Sequence, residues 1–104
     1  MVKRKVRNDR NHAIYMIANC ETGERYIGIT VLKGGVKKTL KVRWQKHVRR
    51  AVTEGRHWAF CRSIRKYGAE AFVMELIGKV RGRIAAHGEE RKLIAELKPE
   101  LNQY

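Results

Sequence analysis

The segment HAIYMIANCETGERYIGITV, residues 12–31, leaves the chain little freedom in how it folds. HAIYMIANC is apolar on both faces of an extended strand, which predicts an inner strand of a sheet. ETGE supplies turn chemistry, with Gly23 able to take a positive φ. RYIGITV predicts a second strand, and the two make an antiparallel hairpin. If the loop has two or four residues, paired positions sum to an odd number. Tyr15 and Tyr26 then share a face, and Gly28 joins them because side chains alternate along a strand. A glycine there leaves a gap beside the phenols, and such a gap accompanies close approach by another group. Two readings follow from the hairpin alone: two core tyrosines with hydrogen-bonded hydroxyls, or two hydroxyls facing a phosphate.

The rest of the chain extends the pattern. KGGVKKTLK, residues 33–41, reads as a flexible cationic loop with Thr39 as a helix N-cap. A helix is predicted over 40–54, with Leu40, Trp44, Val48, Ala51 and Val52 inward and Gly55 ending it. A shorter helix over 58–67 places Phe60, Cys61, Ile64 and Tyr67 on one face, with Gly68 as its C-cap. AFVMELIGKV, residues 71–80, predicts a third strand. A last helix over 84–98 is closed by Pro99, because the residue before proline is pushed out of helical geometry. The fold class is therefore α+β, a small three-stranded antiparallel sheet flanked by helices in the order β-β-α-α-β-α.

Charge narrows the partner. The 104 residues hold 24 Lys or Arg against 10 Asp or Glu, a formal charge of +14. Self-repulsion on this scale costs stability, so a polyanionic partner is the economical explanation, and nucleic acid is the first candidate. No apolar run approaches the ~18 residues that span a bilayer, and no hydrophobic signal segment follows the basic arm over residues 1–11. Cys20 and Cys61 stand far apart, which fits reduced thiols in a cytoplasmic protein better than a zinc site.

Two features lie where charge is unexpected. Glu90 sits in the apolar stripe of the last helix, with Ala86, Leu93, Ile94 and Leu97. A carboxylate there is costly unless it is paired or binds a metal. A buried ion pair to an arginine and a metal ligand both remain open. Arg43 and His47, four residues apart, share a helix face at the rim of the core.

Taken together, these segments resemble the GIY-YIG nuclease superfamily. A-I-Y and Y-I-G, separated by ten residues, are similar to its signature. VRWQKHVRRAVTEGRHW resembles its first helix, SIRKYGAEAFVMELI the segment around its third strand, and EERKLIAELKPELNQY its closing helix. The resemblance covers residues 12–104 and implies a nuclease domain there. Ala13 replaces the first signature glycine, and the loop between Gly28 and Arg43 is longer than in compact phage members.

The resemblance implies roles. Tyr15 matches the tyrosine that serves as general base or orients the attacking water, and Tyr26 the second tyrosine, which supports the first and contacts phosphate. Gly28 matches the family glycine. Arg43 matches the arginine on the scissile phosphate, and His47 a histidine beside the tyrosine. Glu90 matches the carboxylate that binds one divalent metal, Mg²⁺ or Mn²⁺, and Asn102 an asparagine that helps hold the site together. His57 matches a less regular position.

The implied activity is metal-dependent hydrolysis of DNA phosphodiesters by a standalone phage homing-type domain, in a bacterial or phage-infected cell. A single carboxylate suits a strongly hydrated Mg²⁺ or Mn²⁺ ion, and Arg43 offers planar donors to phosphate oxygens. Lys37, Lys38, Lys41, Lys46, Arg49, Arg50, Arg56, Arg62, Arg65 and Lys66 surround the first two helices as a backbone-binding surface for double-stranded DNA. Backbone contacts do not specify sequence, so specificity is low, or comes from the arm and the loop, or is borrowed from a recruiting protein. The competing readings are a branch or flap nuclease of the same family and a non-catalytic basic nucleic-acid-binding module.

Overall fold

The computed structural model describes residues 10–102. Its elements run β1 (Asn11–Asn19), β2 (Arg25–Val31), α1 (Val36–Val52), α2 (Ala59–Tyr67), β3 (Phe72–Arg81) and α3 (Arg83–Leu97), with a short 3-10 turn at Ala69–Ala71. The sheet is antiparallel with strand order β2-β1-β3, so the architecture is α+β as expected. β1 is central, which explains why it is apolar on both faces: Ala13, Ile14, Tyr15 and Ile17 are all fully buried.

The hairpin register is the expected one. Tyr15 pairs with Gly28 and Ile17 with Tyr26, which puts both tyrosines and Gly28 on one face. The Asn19 N–H donates to the Glu24 carbonyl at 2.8 Å, leaving a four-residue loop. Buried Asn19 organises that loop. Its Oδ1 accepts from the Glu21 and Thr22 N–H groups at 2.9 and 3.3 Å, and its Nδ2 donates to Ser63 Oγ at 3.2 Å. On the other side of β1 the register slips between Ile14 and Tyr15, which face Gly78 and Leu76 of β3, so Ile77 is left over as a bulge. A bulge bends its strand and raises the local twist, here directly opposite Tyr15.

Four sequence expectations need correction. α1 starts at Val36, not Leu40, so Lys37 and Lys38 are helical; its N-cap is Gly35, which offers no side-chain signal. Thr39 lies within the first turn, where its hydroxyl donates to the Lys33 carbonyl at 3.0 Å and accepts from the Lys33 N–H at 3.2 Å. Its short polar side chain staples the preceding loop instead of capping the helix. The buried face of α1 is also rotated: His47 and Ala51 are buried, while Val52 is 65% exposed. Finally, the first strand begins one residue earlier than expected. β1 includes Asn11, and the Arg10 carbonyl accepts from the Gly82 N–H at 3.0 Å. Residues 1–9 of the basic arm lie outside the described residues.

One face of the sheet packs Tyr15, Ile17 and Tyr26 against Ala51 of α1 and Phe60, Cys61 and Ile64 of α2, with Leu101 completing the cluster. Tyr26 stacks on Phe60, with ring centroids 4.2 Å apart. α3 packs against all three strands, with Ala86 fully buried. After α3 the chain runs along the outer edge of β2. The Leu101 N–H donates to the Arg25 carbonyl at 2.9 Å. Asn102 engages both backbone groups of Ile27, accepting at Oδ1 (2.8 Å) and donating from Nδ2 (2.7 Å). Asn102→Ala strands both groups, so a destabilisation of about 1–3 kcal/mol is expected. A lower urea midpoint at unchanged m-value is the measurement that checks it.

Candidate active site

The site is built on the hairpin. Tyr15 is fully buried, and its ring lies across Gly28 on the neighbouring strand. A Cβ at position 28 would run into Tyr15 Cζ and the hydroxyl. The gap that glycine leaves is therefore filled by Tyr15 itself, not held open for a phosphate. Gly28→Ala is expected to displace the ring, costing about 1–3 kcal/mol as an overpacked contact. Chemical denaturation reads the loss, and a Gly28→Ala chain as stable as wild type would contradict the packing.

Beyond Gly28 the Tyr15 hydroxyl meets α1. It lies 2.7 Å from His47 Nε2 and 3.2 Å from Arg43 Nε. A guanidinium can only donate, so Arg43 gives a hydrogen bond to the phenolic oxygen. His47 is 3% exposed, and its pKa is pushed down to about 3, by burial first and then by Arg43, Arg50 and Lys46. The imidazole is thus neutral near pH 7 and shares a hydrogen bond with the Tyr15 hydroxyl through Nε2. Arg43, Tyr15 and His47 form one hydrogen-bonded chain. Tyr26 and Phe60 fix the imidazole by edge contacts, with centroids at 5.3 and 4.9 Å. His47 is a core residue, deeper than the rim position expected for it.

Arg43 also lines a groove of ≈ 840 Å³. Five further cations share its walls, Arg10, Lys33, Lys38, Lys46 and Arg83, together with His12 and His87 and, among the described residues, no carboxylate. The potential there is strongly positive: Arg43 foremost, then Arg50, lowers the pKa of Lys46. Glu90 stands close by. It is half-buried, and its carboxylate has His87 Nδ1 at 3.6 Å, one turn back on α3. Burial raises the Glu90 pKa, while His87, Arg43 and Arg91 pull it the other way. Its ion-pair partner is a histidine rather than an arginine.

The other predicted cations divide. Lys38 and Lys46 reach the groove, whereas Lys37 and Lys41 border an apolar depression beside Trp44 and Phe72. Arg50 and Arg56 lie over the Trp58 ring, 6.0 and 5.3 Å from its centroid, and Lys66 lies over Tyr67. Arg65 Nη1 ties α2 to α1 by donating to the carbonyls of Ala51 (2.9 Å) and Arg56 (2.7 Å). Arg49 lines a separate hollow near Val48, and Arg62 is exposed on α2. His57 sits exposed in the α1–α2 loop beside Arg56 and Trp58, and no hydrogen bond joins it to the tyrosine cluster. Cys20 is exposed at the hairpin turn and Cys61 is buried under α2. Among the described residues, no group of three or more His, Cys, Asp or Glu gathers as a metal site, and no helix is long and apolar enough to cross a membrane. Reading the sequence did not single out His12, Arg83 or His87, whose one signal was the general excess of charge, and took Arg10 and Lys33 only as members of the basic arm and the cationic loop.

Comparison with known proteins identifies the fold. No protein-family model and no curated protein matches the chain. Two solved structures do. One, the catalytic domain of the intron endonuclease I-TevI in a mutant form, superposes with a TM-score of 0.69 at 20% identity, over 90% of this chain and 91% of that one. The other, the catalytic domain of the homing endonuclease I-TevI, gives a TM-score of 0.66 at 23% identity, over 89% of this chain and 95% of that one. The chain has the fold of that catalytic domain.

Proposed function

We propose that the chain is a divalent-metal-dependent DNA endonuclease of the GIY-YIG homing type. The observation that carries this reading is the hydrogen-bonded Arg43–Tyr15–His47 chain, whose Arg43 lines a cationic groove with the Glu90 carboxylate near it. Hydrolysis of a phosphodiester needs a nucleophilic water, charge neutralisation at phosphorus and help for the departing oxygen. The groove supplies the binding field, and the fixed cations act before any charge develops.

In this reading Arg43 holds the scissile phosphate. Its Nε is committed to Tyr15, and its terminal nitrogens are free to hold two phosphate oxygens. When phosphate draws the guanidinium away, the Tyr15 oxygen is uncovered for the attacking water. In this reading neutral His47 holds the Tyr15 hydroxyl in place beside Arg43 through their hydrogen bond. Tyr26 supports this arrangement through its contacts with the Tyr15, His47 and Phe60 rings.

Glu90 fits a hard divalent ion. It is half-buried with one weak partner, so its oxygens keep acceptor capacity, and burial favours any process that neutralises its charge. A single carboxylate suits Mg²⁺ or Mn²⁺, which retain much of their water. Bound there, such an ion would stabilise charge on the leaving oxygen.

The test is conversion of supercoiled plasmid to nicked or linear DNA by the purified chain with Mg²⁺, Mn²⁺ or EDTA. Cutting with either metal and none in EDTA is expected, with duplex affinity falling steeply as salt rises. Tight DNA binding without cleavage under any metal would instead support a non-catalytic binding module.

A further inference from the structure

We propose that His12 is a phosphate contact in the groove and takes up a proton when nucleic acid binds. The proposal deepens the nucleic-acid reading above and rests on it. His12 is the second residue of β1, and only 6% of it is exposed. Its Nδ1 lies 2.8 Å from the Arg10 carbonyl. A carbonyl only accepts, so Nδ1 carries the hydrogen, and in the neutral ring Nε2 is the lone-pair nitrogen. No described residue bonds Nε2. Yet no buried side-chain nitrogen or oxygen among the described residues lacks a partner. Nε2 must therefore reach solvent, and the space it reaches is the groove that His12 lines with Arg43.

The surroundings decide what can sit there. Arg10 flanks His12 just before β1. Lys33 faces it from the β2–α1 loop, Lys38, Arg43 and Lys46 from α1, and Arg83 and His87 from α3, with Glu90 behind His87. A groove walled by these cations takes an anion. A phosphate oxygen meeting a bare nitrogen lone pair is repelled, whereas an imidazolium gives it a charge-assisted hydrogen bond. The occupied groove thus favours the protonated ring. His12 is three residues from Tyr15, about 10 Å along the strand, with its side chain on the opposite face. The phosphate it holds is consequently not the one being cut but another of the same nucleic acid.

The experiment uses a 20-base-pair DNA duplex in EDTA, so that binding is measured without cleavage. Calorimetry at pH 7 in buffers of different ionisation enthalpy counts the protons taken up, and fluorescence anisotropy compares affinity at pH 6 and 8 at fixed ionic strength. The wild-type chain is expected to take up a fraction of one proton and to bind several-fold more tightly at pH 6. His12→Asn keeps a donor for the Arg10 carbonyl and removes Nε2; it should lose both effects while retaining most affinity at pH 8. Uptake that persists in His12→Asn, or disappears only in His87→Asn, overturns the proposal and leaves the nuclease reading intact. A wild-type chain that binds no duplex overturns both. Should His12→Asn not fold, ¹⁵N shifts of the wild-type imidazole during duplex titration decide: a move toward imidazolium supports the contact, and an unchanged neutral ring removes it.

Discussion

Tyr15→Phe is expected to slow plasmid cleavage by about 10²–10⁴-fold, the usual contribution of a positioned acid–base group, while leaving duplex binding nearly intact. The hydroxyl is the middle member of the Arg43–Tyr15–His47 chain and is fully buried, so DNA meets it by way of Arg43. An ordinary phenol holds its proton until about pH 10. If the reaction needs the phenolate, the wild-type rate climbs above pH 7, and the climb disappears in Tyr15→Phe. The substitution also leaves Arg43 Nε and His47 Nε2 without the hydroxyl, at a stability cost of about 1–3 kcal/mol. Circular dichroism at the assay temperature separates that loss from a chemical one. A folded Tyr15→Phe chain that cuts at the wild-type rate, with the same pH profile, would make Tyr15 a packing residue.

Glu90→Gln should be equally severe, for a different reason. Glutamine keeps the shape and a hydrogen-bond partner for His87 but removes the charge that a hydrated cation needs. A fall of at least about 10²-fold in cleavage is expected, comparable with loss of one electrostatic stabiliser. Duplex affinity should hold or rise slightly, because a negative charge leaves the side of a cationic groove. Mn²⁺ binding followed by its paramagnetic resonance signal gives a readout independent of turnover. Normal cutting by Glu90→Gln would remove this residue from the metal role.

How much of this was legible depends on how local each signal is. The hairpin, its register and the shared face of Tyr15, Tyr26 and Gly28 follow from period-two alternation around a four-residue turn, all within twenty positions. Glu90 was visible as a carboxylate in an apolar stripe. His47 was misplaced because helical periodicity scores apolar residues, and its burial depends on a hydroxyl 32 positions away. Val52 was read as inward for the same reason, since nothing local reports that α2 packs at Ala51 instead. The start of α1 was missed because Gly35 caps it without a side chain, while Thr39 advertises a cap it does not make. The groove was illegible as a site. Its walls come from the ends of β1 and β2, from α1 and from the first turns of α3, and only the folded chain brings these together.

The bonds from Leu101 and Asn102 to Arg25 and Ile27 also bear on assembly. An edge strand with unpaired backbone groups is a template for pairing with another chain. β2 carries Tyr26 and Gly28, so partner exchange along that edge would distort the site as well as join two molecules. Here the chain's own later residues occupy the edge, across a separation of 75 positions. The same two residues that steady the hairpin thereby shield Arg25 and Ile27 on the β2 border, beside the tyrosine site, from pairing with another molecule.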